Sequence, residues 1–311
     1  MNIETPPCLV VITGPTAVGK TSLSIRIAKH FNTEIISADS RQFYREMIIG
    51  TACPTEDQLR EVPHHFIRHI SIHDPYNVSR FESEVLGKLK ELFRNHKLVV
   101  MTGGSGLYIE AVCNGIDDLP DPDDNTRLQL KEILRIQGIQ ALRNKLKILD
   151  PVYYDQVDLS NPKRLLRALE VCISTGVPFS TLRRNQPKQR DFRIIRIGLE
   201  TDRQELYRRI NDRTDEMMRR GLADEAKSLY PFRNLNALNT VGYKELFSWI
   251  DGTITLTDAV AKIKTNTRRY AKRQMTWFRK QEETKWFEPG DEENIVQYIN
   301  YEIRKNDTDC G

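Results

Sequence analysis

The chain is 311 residues long, with 39% hydrophobic and 29% charged residues and a formal net charge of +4. No apolar run reaches the ~18 residues of a membrane span, and MNIETPP at the N-terminus lacks the basic-then-apolar order of a signal peptide, so a soluble cytoplasmic protein of one or two domains is expected. The five cysteines, Cys8, Cys53, Cys113, Cys172 and Cys310, form no CxxC pair, which argues against a zinc site or disulfide framework and leaves free thiols.

The first element is LVVIT (9–13), an apolar, β-branched run that reads as a buried strand. It leads into GPTAVGKT (14–21), which fits G-x-x-x-x-G-K-[ST], and a helix is expected over 19–30. Inward N–H groups of such a loop, together with the helix N-terminus, hold phosphate. The candidate phosphate ligands are therefore Gly14, Pro15, Thr16, Ala17, Val18, Gly19, Lys20 and Thr21. Lys20 suits terminal phosphate oxygens, and the Thr21 hydroxyl suits Mg²⁺. ATP or GTP is the usual occupant of such a loop, but the motif does not say which molecule carries the phosphate.

EIISA (34–38) is the second strand, and Asp39 sits at its carboxyl end. In a doubly wound sheet that edge faces the ligand crevice. A carboxylate there can ligate magnesium or accept a proton; alternatively Asp39, with Ser40, caps a helix. FIRHI (66–70) reads as a weaker strand, and a helix follows over 79–95. KLVVMTG (97–103) is another strand, running into the glycine-rich TGGSGLYI (102–109). No acid stands there to position a water for NTP hydrolysis.

GIDDLPDPDDNT (115–126) has linker composition. Helical segments follow over 127–149 and from Asn161-Pro162 to Gly176, and FRIIRIGL (192–199) returns to strand. The expected fold is α/β: a P-loop core with a parallel sheet flanked by helices, from 1–119 and 191–311, and a helical insertion over 120–190. Beyond 202 helices are expected over 203–220, 222–230, 240–250 and 256–284, with the final TDCG lacking order.

Basic charge is clustered rather than spread. Residues 160–190 carry seven Lys or Arg and one acid, and 262–280 carry eight and none. Such clusters suit a polyanion. Lys163, Arg164 and Arg167 recur at helical spacing in NPKRLLRALE, where Leu165, Leu166 and Leu169 can face a core. TNTRRYAKRQMTWFRK (265–280) interleaves base and aromatic, and its like-charge pairs Arg268/Lys272 and Arg269/Arg273 disfavour the helix unless an anion lies against them. Its aromatics can stack on bases, although core packing is the commoner fate of Trp277. Arg213 reads either as a surface ion pair or as a phosphate ligand.

GPTAVGKT, ISADSRQFYREMIIGTACPT, VPHHFI, TGGSGLYI, NPKRLLRALE, TVGYKE and TRRYAKRQMTWFRK, in that order over residues 8 to about 280, resemble the bacterial tRNA isopentenyltransferase (tRNA dimethylallyltransferase) family. The resemblance implies that the loop holds the diphosphate of dimethylallyl diphosphate. It implies transfer of the dimethylallyl group to N6 of adenosine 37, 3′ of the tRNA anticodon, with Mg²⁺ as cofactor, by an enzyme expected to be monomeric. By motif, Asp39 is implied as the general base, and Arg213 as a diphosphate ligand. Asp39, Ser40, Arg41, Gln42, Ser105, Arg127, the segment Lys163, Arg164, Leu165, Leu166, Arg167 and the segment Thr240, Val241, Gly242, Tyr243, Lys244, Glu245 are implied as tRNA contacts. Two positions depart from the family pattern: Val18 where Ser or Thr is commoner, and Cys53 where GTAKP has Lys. The alternatives are prenyl transfer to a free adenine nucleotide, a P-loop kinase using ATP, and a non-enzymatic RNA-binding ATPase.

Overall fold

The structure is a computed structural model, and it describes residues 6–117, 119–120, 123–183 and 186–308, with side chains described as far as 305. Most of TDCG, Cys310 included, lies outside the described residues, as do three positions of the 115–126 linker and Arg184 of the first basic cluster.

The N-terminal elements are β1 (Cys8–Thr13), α1 (Lys20–His30), β2 (Ile35–Ser37), α2 (Glu56–Glu61), β3 (His64–His65), α3 (Val78–Leu92), β4 (Leu98–Thr102) and α4 (Gly106–Asn114). A helical segment follows with α5 (Asp124–Leu149), α6 (Pro151–Gln156), α7 (Pro162–Thr175) and α8 (Phe179–Leu182). The chain then forms β5 (Arg193–Leu199), α9 (Arg203–Arg219), α10 (Leu222–Leu229), α11 (Tyr243–Ile250), α12 (Leu256–Phe278), β6 (Lys285–Phe287) and α13 (Glu292–Thr308).

The six strands are parallel, in the order β3-β2-β4-β1-β5-β6. Alternation along each strand sends side chains to both faces. Leu9, Val11, Ile36, Val99 and Met101 pack on one side with residues of α3, α4, α10 and α11. Val10, Ile12, Ile35, Val100 and Ile197 pack on the other with α1, α9 and α13. Burial on both faces is why these strands read as unbroken apolar runs. Strand β1 lies between β4 and β5, so the direction of winding reverses beside it, and the crevice at such a switch point is where ligands bind in open α/β sheets.

Two compact units emerge, Met1–Cys113 with Arg190–Gly311, and Asn114–Gln189. In the helical unit, Leu130, Leu142, Leu146, Leu165 and Leu169 form a separate core. The Asn161 side chain caps α7, Pro162 opens it, and Gly176 closes it at φ 69. Gly138, at φ 73, breaks α5 into two arms where the sequence suggested one helix.

Two expectations need correcting. FIRHI is not a strand: Phe66 and Arg68 have φ of 63 and 51, which no extended strand tolerates, and Ile70 makes only an isolated bridge with Tyr44. The neighbouring His64–His65 pairs with β2 instead. The last basic helix stops at Phe278 rather than 284, and the chain then adds β6, pairing with Ile197–Leu199, followed by α13.

Candidate active site

The phosphate loop is shaped by two glycines and one bent alanine. Gly14 has φ 146, and a Cβ there would lie 2.6 Å from the Leu199 carbonyl oxygen. Ala17 turns at φ 66, and Gly19 at φ 113 is the N-cap of α1. Val18 is buried among the apolar residues under the loop, so its departure from Ser or Thr is absorbed by packing. Its carbonyl accepts a hydrogen bond from Arg209 at 3.2 Å.

Lys20 curls back over the loop and donates to the Gly14 and Pro15 carbonyls at 2.9 and 2.8 Å. Burial lowers its pKa to about 8; the Asp39 carboxylate opposes the shift and the Arg213 guanidinium adds to it. From α9, Arg213 donates to the Thr16 hydroxyl at 2.5 Å. Burial lowers its pKa as well, again opposed by Asp39. Two desolvated cations therefore stand at one loop with one carboxylate near them, a field suited to a multiply charged anion.

Asp39 leaves the end of β2 in a turn, with Gln42 N–H donating to the Asp39 carbonyl at 3.0 Å; no helix begins here, so the capping alternative does not hold. One Asp39 carboxylate oxygen accepts the Arg41 N–H at 3.1 Å. The backbone of Gly103 packs on Ala38 so closely that a Cβ would lie 2.3 Å from the Ala38 carbonyl oxygen. That contact draws TGGSG against the Asp39 turn. Ser40 N–H donates to the Ser105 hydroxyl at 2.9 Å, and Ser105 in turn donates to the Ser40 hydroxyl at 3.0 Å. Arg41 donates to the Asn236 and Ala237 carbonyls at 3.0 and 2.9 Å, and Gln42 to those of Thr51 and Ala52 at 3.2 Å each. Thr16, Lys20, Thr21, Asp39, Gln42 and Arg213 line one cavity of about 270 Å³.

The remaining candidates are placed as follows. Within the helical unit, Lys163 and Arg164 are exposed, Leu166 is half-buried, and Arg127 and Arg167 lie 3.6 and 4.0 Å from the Glu170 carboxylate. Leu165 is fully buried in that unit's core, so its side chain is a packing group and not a surface contact. In the core unit, Thr240 and Val241 are half-buried and Lys244 is exposed. Tyr243 is fully buried and Glu245 nearly so. Tyr243 donates its hydroxyl proton to Glu225 at 2.6 Å, and Glu245 accepts from Gly242 N–H and Asn266. These two side chains brace the segment rather than present themselves at the surface.

On α12, Arg268 donates to Asn211 and Thr265, both at 2.9 Å, which fixes the guanidinium without neutralising its charge. Trp277 is 39% exposed rather than core, and its indole lies against Gly106, where a Cβ would be 2.3 Å from the ring. Cys53 is buried beside Thr51, and burial raises its thiol pKa. Arg68, close to that thiol, donates to the Pro54 carbonyl at 3.1 Å, so a guanidinium stands near the position where the family pattern has lysine.

Sequence reasoning missed two residues. Glu225 on α10 accepts the N–H groups of Ile48, Ile49 and Gly50 at 2.7–3.0 Å, and no local signal marked it. Gln274 on α12 bridges two loops of the site. Its signal was a polar residue within the buried stripe Ile263, Ala271, Gln274, Phe278.

A parallel sheet with the loop motif beside its switch point, and the half-buried Lys20 and Arg213 lining one cavity with Asp39, defines the core of a P-loop protein. The IPP transferase family model matches residues 42–281. A relative from Christiangramia forsetii, named tRNA dimethylallyltransferase, is 56% identical over 296 residues, covering 95% of this chain and 98% of its own. One from Bacteroides fragilis, named tRNA dimethylallyltransferase 1, is 50% identical over 300 residues, covering 96% and 100%. The crystal structure of a full-length tRNA isopentenylpyrophosphate transferase from Bacillus halodurans superposes with a TM-score of 0.72 at 37% identity, covering 96% of this chain and 98% of that one. A eukaryotic dimethylallyltransferase described as acting on tRNA superposes with a TM-score of 0.75 at 27% identity, covering 92% and 74%. The chain belongs to the IPP transferase family.

Proposed function

We propose that this protein transfers the dimethylallyl group of dimethylallyl diphosphate to the exocyclic N6 of adenosine 37 in tRNA, forming N6-(dimethylallyl)adenosine and releasing diphosphate. The observation that carries this reading is one cavity lined by the phosphate loop, Lys20, Arg213 and Asp39.

The allylic C1–O bond breaks, its electron pair leaves with the diphosphate, the N6–C1 bond forms, and the N6 proton passes to Asp39. Loop amides, Lys20 and Arg213 are arranged where the leaving group gains charge, and preorganised charge of this kind usually contributes more to rate than any other single effect. Adenine N6 is a weak nucleophile because its lone pair is delocalised into the ring, so a base as the bond forms is needed. The target base leaves the anticodon stack to reach the cavity, and a loop base is easier to extrude than a paired one.

Magnesium fits this donor set. Mg²⁺ commonly takes one or two protein ligands, substrate phosphates and water. Thr21, in the first turn of α1 on the cavity wall, supplies one such hydroxyl. When bound there, the ion would offset leaving-group charge. Exposed Lys163 and Arg164, with Arg127 and Arg167, suit tRNA phosphates, and Ser40, Arg41, Gln42 and Ser105 suit the acceptor nucleotide.

The test is nucleoside mass spectrometry after incubation with dimethylallyl diphosphate, Mg²⁺ and unmodified tRNA with an A36-A37-A38 run. Gain of one C5H8 unit on adenosine, lost when A37 is replaced, supports the reading. Transfer to free AMP instead, or ATP-dependent phosphorylation without an allylic donor, replaces it with one of the alternatives.

A further inference from the structure

We infer that Gln274 is a positioning residue that sets the distance between the leaving-group cradle and the loop carrying the acceptor side of the site. This rests on the reading above and names a residue that the motif resemblance left without a role.

Gln274 is 5% exposed, one turn before the C-terminal end of the basic helix α12. A buried primary amide needs both its donor and its acceptor satisfied. Here each end is used on a different loop. The Thr16 N–H donates to Gln274 Oε1 at 2.9 Å, and Gln274 Nε2 donates to the Gly104 carbonyl at 2.8 Å. Thr16 also carries Arg213 on its hydroxyl, so its backbone sets where that cation sits. Gly104 adjoins Asp39: a Cβ there would lie 3.8 Å from an Asp39 carboxylate oxygen and 2.4 Å from Gln274 Nε2. One rigid amide therefore spans from the diphosphate loop to the backbone beside the proposed base.

Reaction between a bound allylic carbon and a bound amine depends on their separation, and a misplacement near 1 Å can slow such a step about 100-fold. Glutamine suits the position because it accepts at one end and donates at the other. Glutamate accepts from Thr16 but, when ionised, repels the Gly104 carbonyl. Protonated glutamate restores both bonds. Burial raises a carboxyl pKa. The charged and titratable groups that interact around Asp39, across Gly104 from Gln274, are Lys20 on α1, Arg213 on α9 and Tyr270 on α12, with Arg41 after β2 and Arg273 on α12 beside Tyr270.

The experiment compares wild type, Gln274→Ala and Gln274→Glu in single-turnover transfer to a tRNA anticodon stem-loop, with tRNA Kd and melting temperature measured alongside. The expected result is a 10- to 100-fold fall in the transfer rate of Gln274→Ala, with tRNA Kd within about two-fold. The rate of Gln274→Glu divided by that of wild type should rise as pH falls, while the same ratio for Gln274→Ala stays flat. Wild-type turnover in Gln274→Ala overturns the inference. So does a loss in Gln274→Ala that tracks melting temperature and tRNA Kd, with a pH-independent Gln274→Glu ratio. A wild-type protein that transfers no C5 unit overturns the function beneath it, and the role of Gln274 with it.

Discussion

Binding of the allylic diphosphate should take up a proton at mildly alkaline pH, and Lys20 is the reason. Its pKa in the free protein is about 8, lowered from 10.5 chiefly by burial. With a diphosphate against the ammonium, Coulomb attraction in a desolvated site returns the pKa toward the ordinary value. At pH 8 the free protein is then about half protonated at Lys20, so binding takes up about 0.5 proton, rising to about 0.9 at pH 9. The same linkage weakens affinity about 10-fold from pH 7 to pH 9, a change of about 1.4 kcal/mol. Because the pKa is depressed, the binding-competent charge is present below pH 8 and lost above it. The assay is isothermal titration of dimethylallyl diphosphate in buffers of different ionisation enthalpy. The protein is titrated without RNA, so that no amine is present to react. Lys20→Met should abolish the uptake. A proton count near zero at pH 8.5, or an affinity flat from pH 7 to 9, would refute the reasoning.

Three further outcomes follow from the same geometry. Asp39→Ala should lose turnover about 100-fold or more while tRNA binding persists in filter or fluorescence titration; normal turnover would remove Asp39 as the base. Gly50→Ala should destabilise the protein by about 1–3 kcal/mol in urea unfolding, because a Cβ there would lie 2.6 Å from the buried Tyr243 ring; an unchanged midpoint would show that the ring moves freely. Lys163→Ala and Arg164→Ala should each reduce the slope of log tRNA affinity against log salt by about one, and an unchanged slope would place those side chains off the RNA backbone.

Much of the core could be read in advance because its signals are local. The loop motif, the apolar strands and the Asn161-Pro162 start and Gly176 stop of α7 each depend on a few neighbouring residues. Helix α13 was not read in advance, although Ile295, Ile299 and Ile303 recur every four residues, because the many acids around them masked that stripe. Neither was strand β6: three residues are too few to show a period, and their pairing with β5 exists only in the assembled sheet. FIRHI failed for the opposite reason, an apolar run whose two positive-φ residues break the extended backbone.

The sequence alone marked a loop of phosphate-binding pattern after the first strand, because a glycine-bent turn between strand and helix is a local feature. It also marked Asp39 by its place at a strand end. Only the tertiary structure decided what surrounds them. Arg213 reaches Thr16 across 197 residues of sequence, and Gln274 joins partners 258 and 170 residues away. Chain-local preferences cannot encode such distances. They arise when the helices bury their apolar faces against the two sides of the sheet and carry these polar groups to the crevice beside β1.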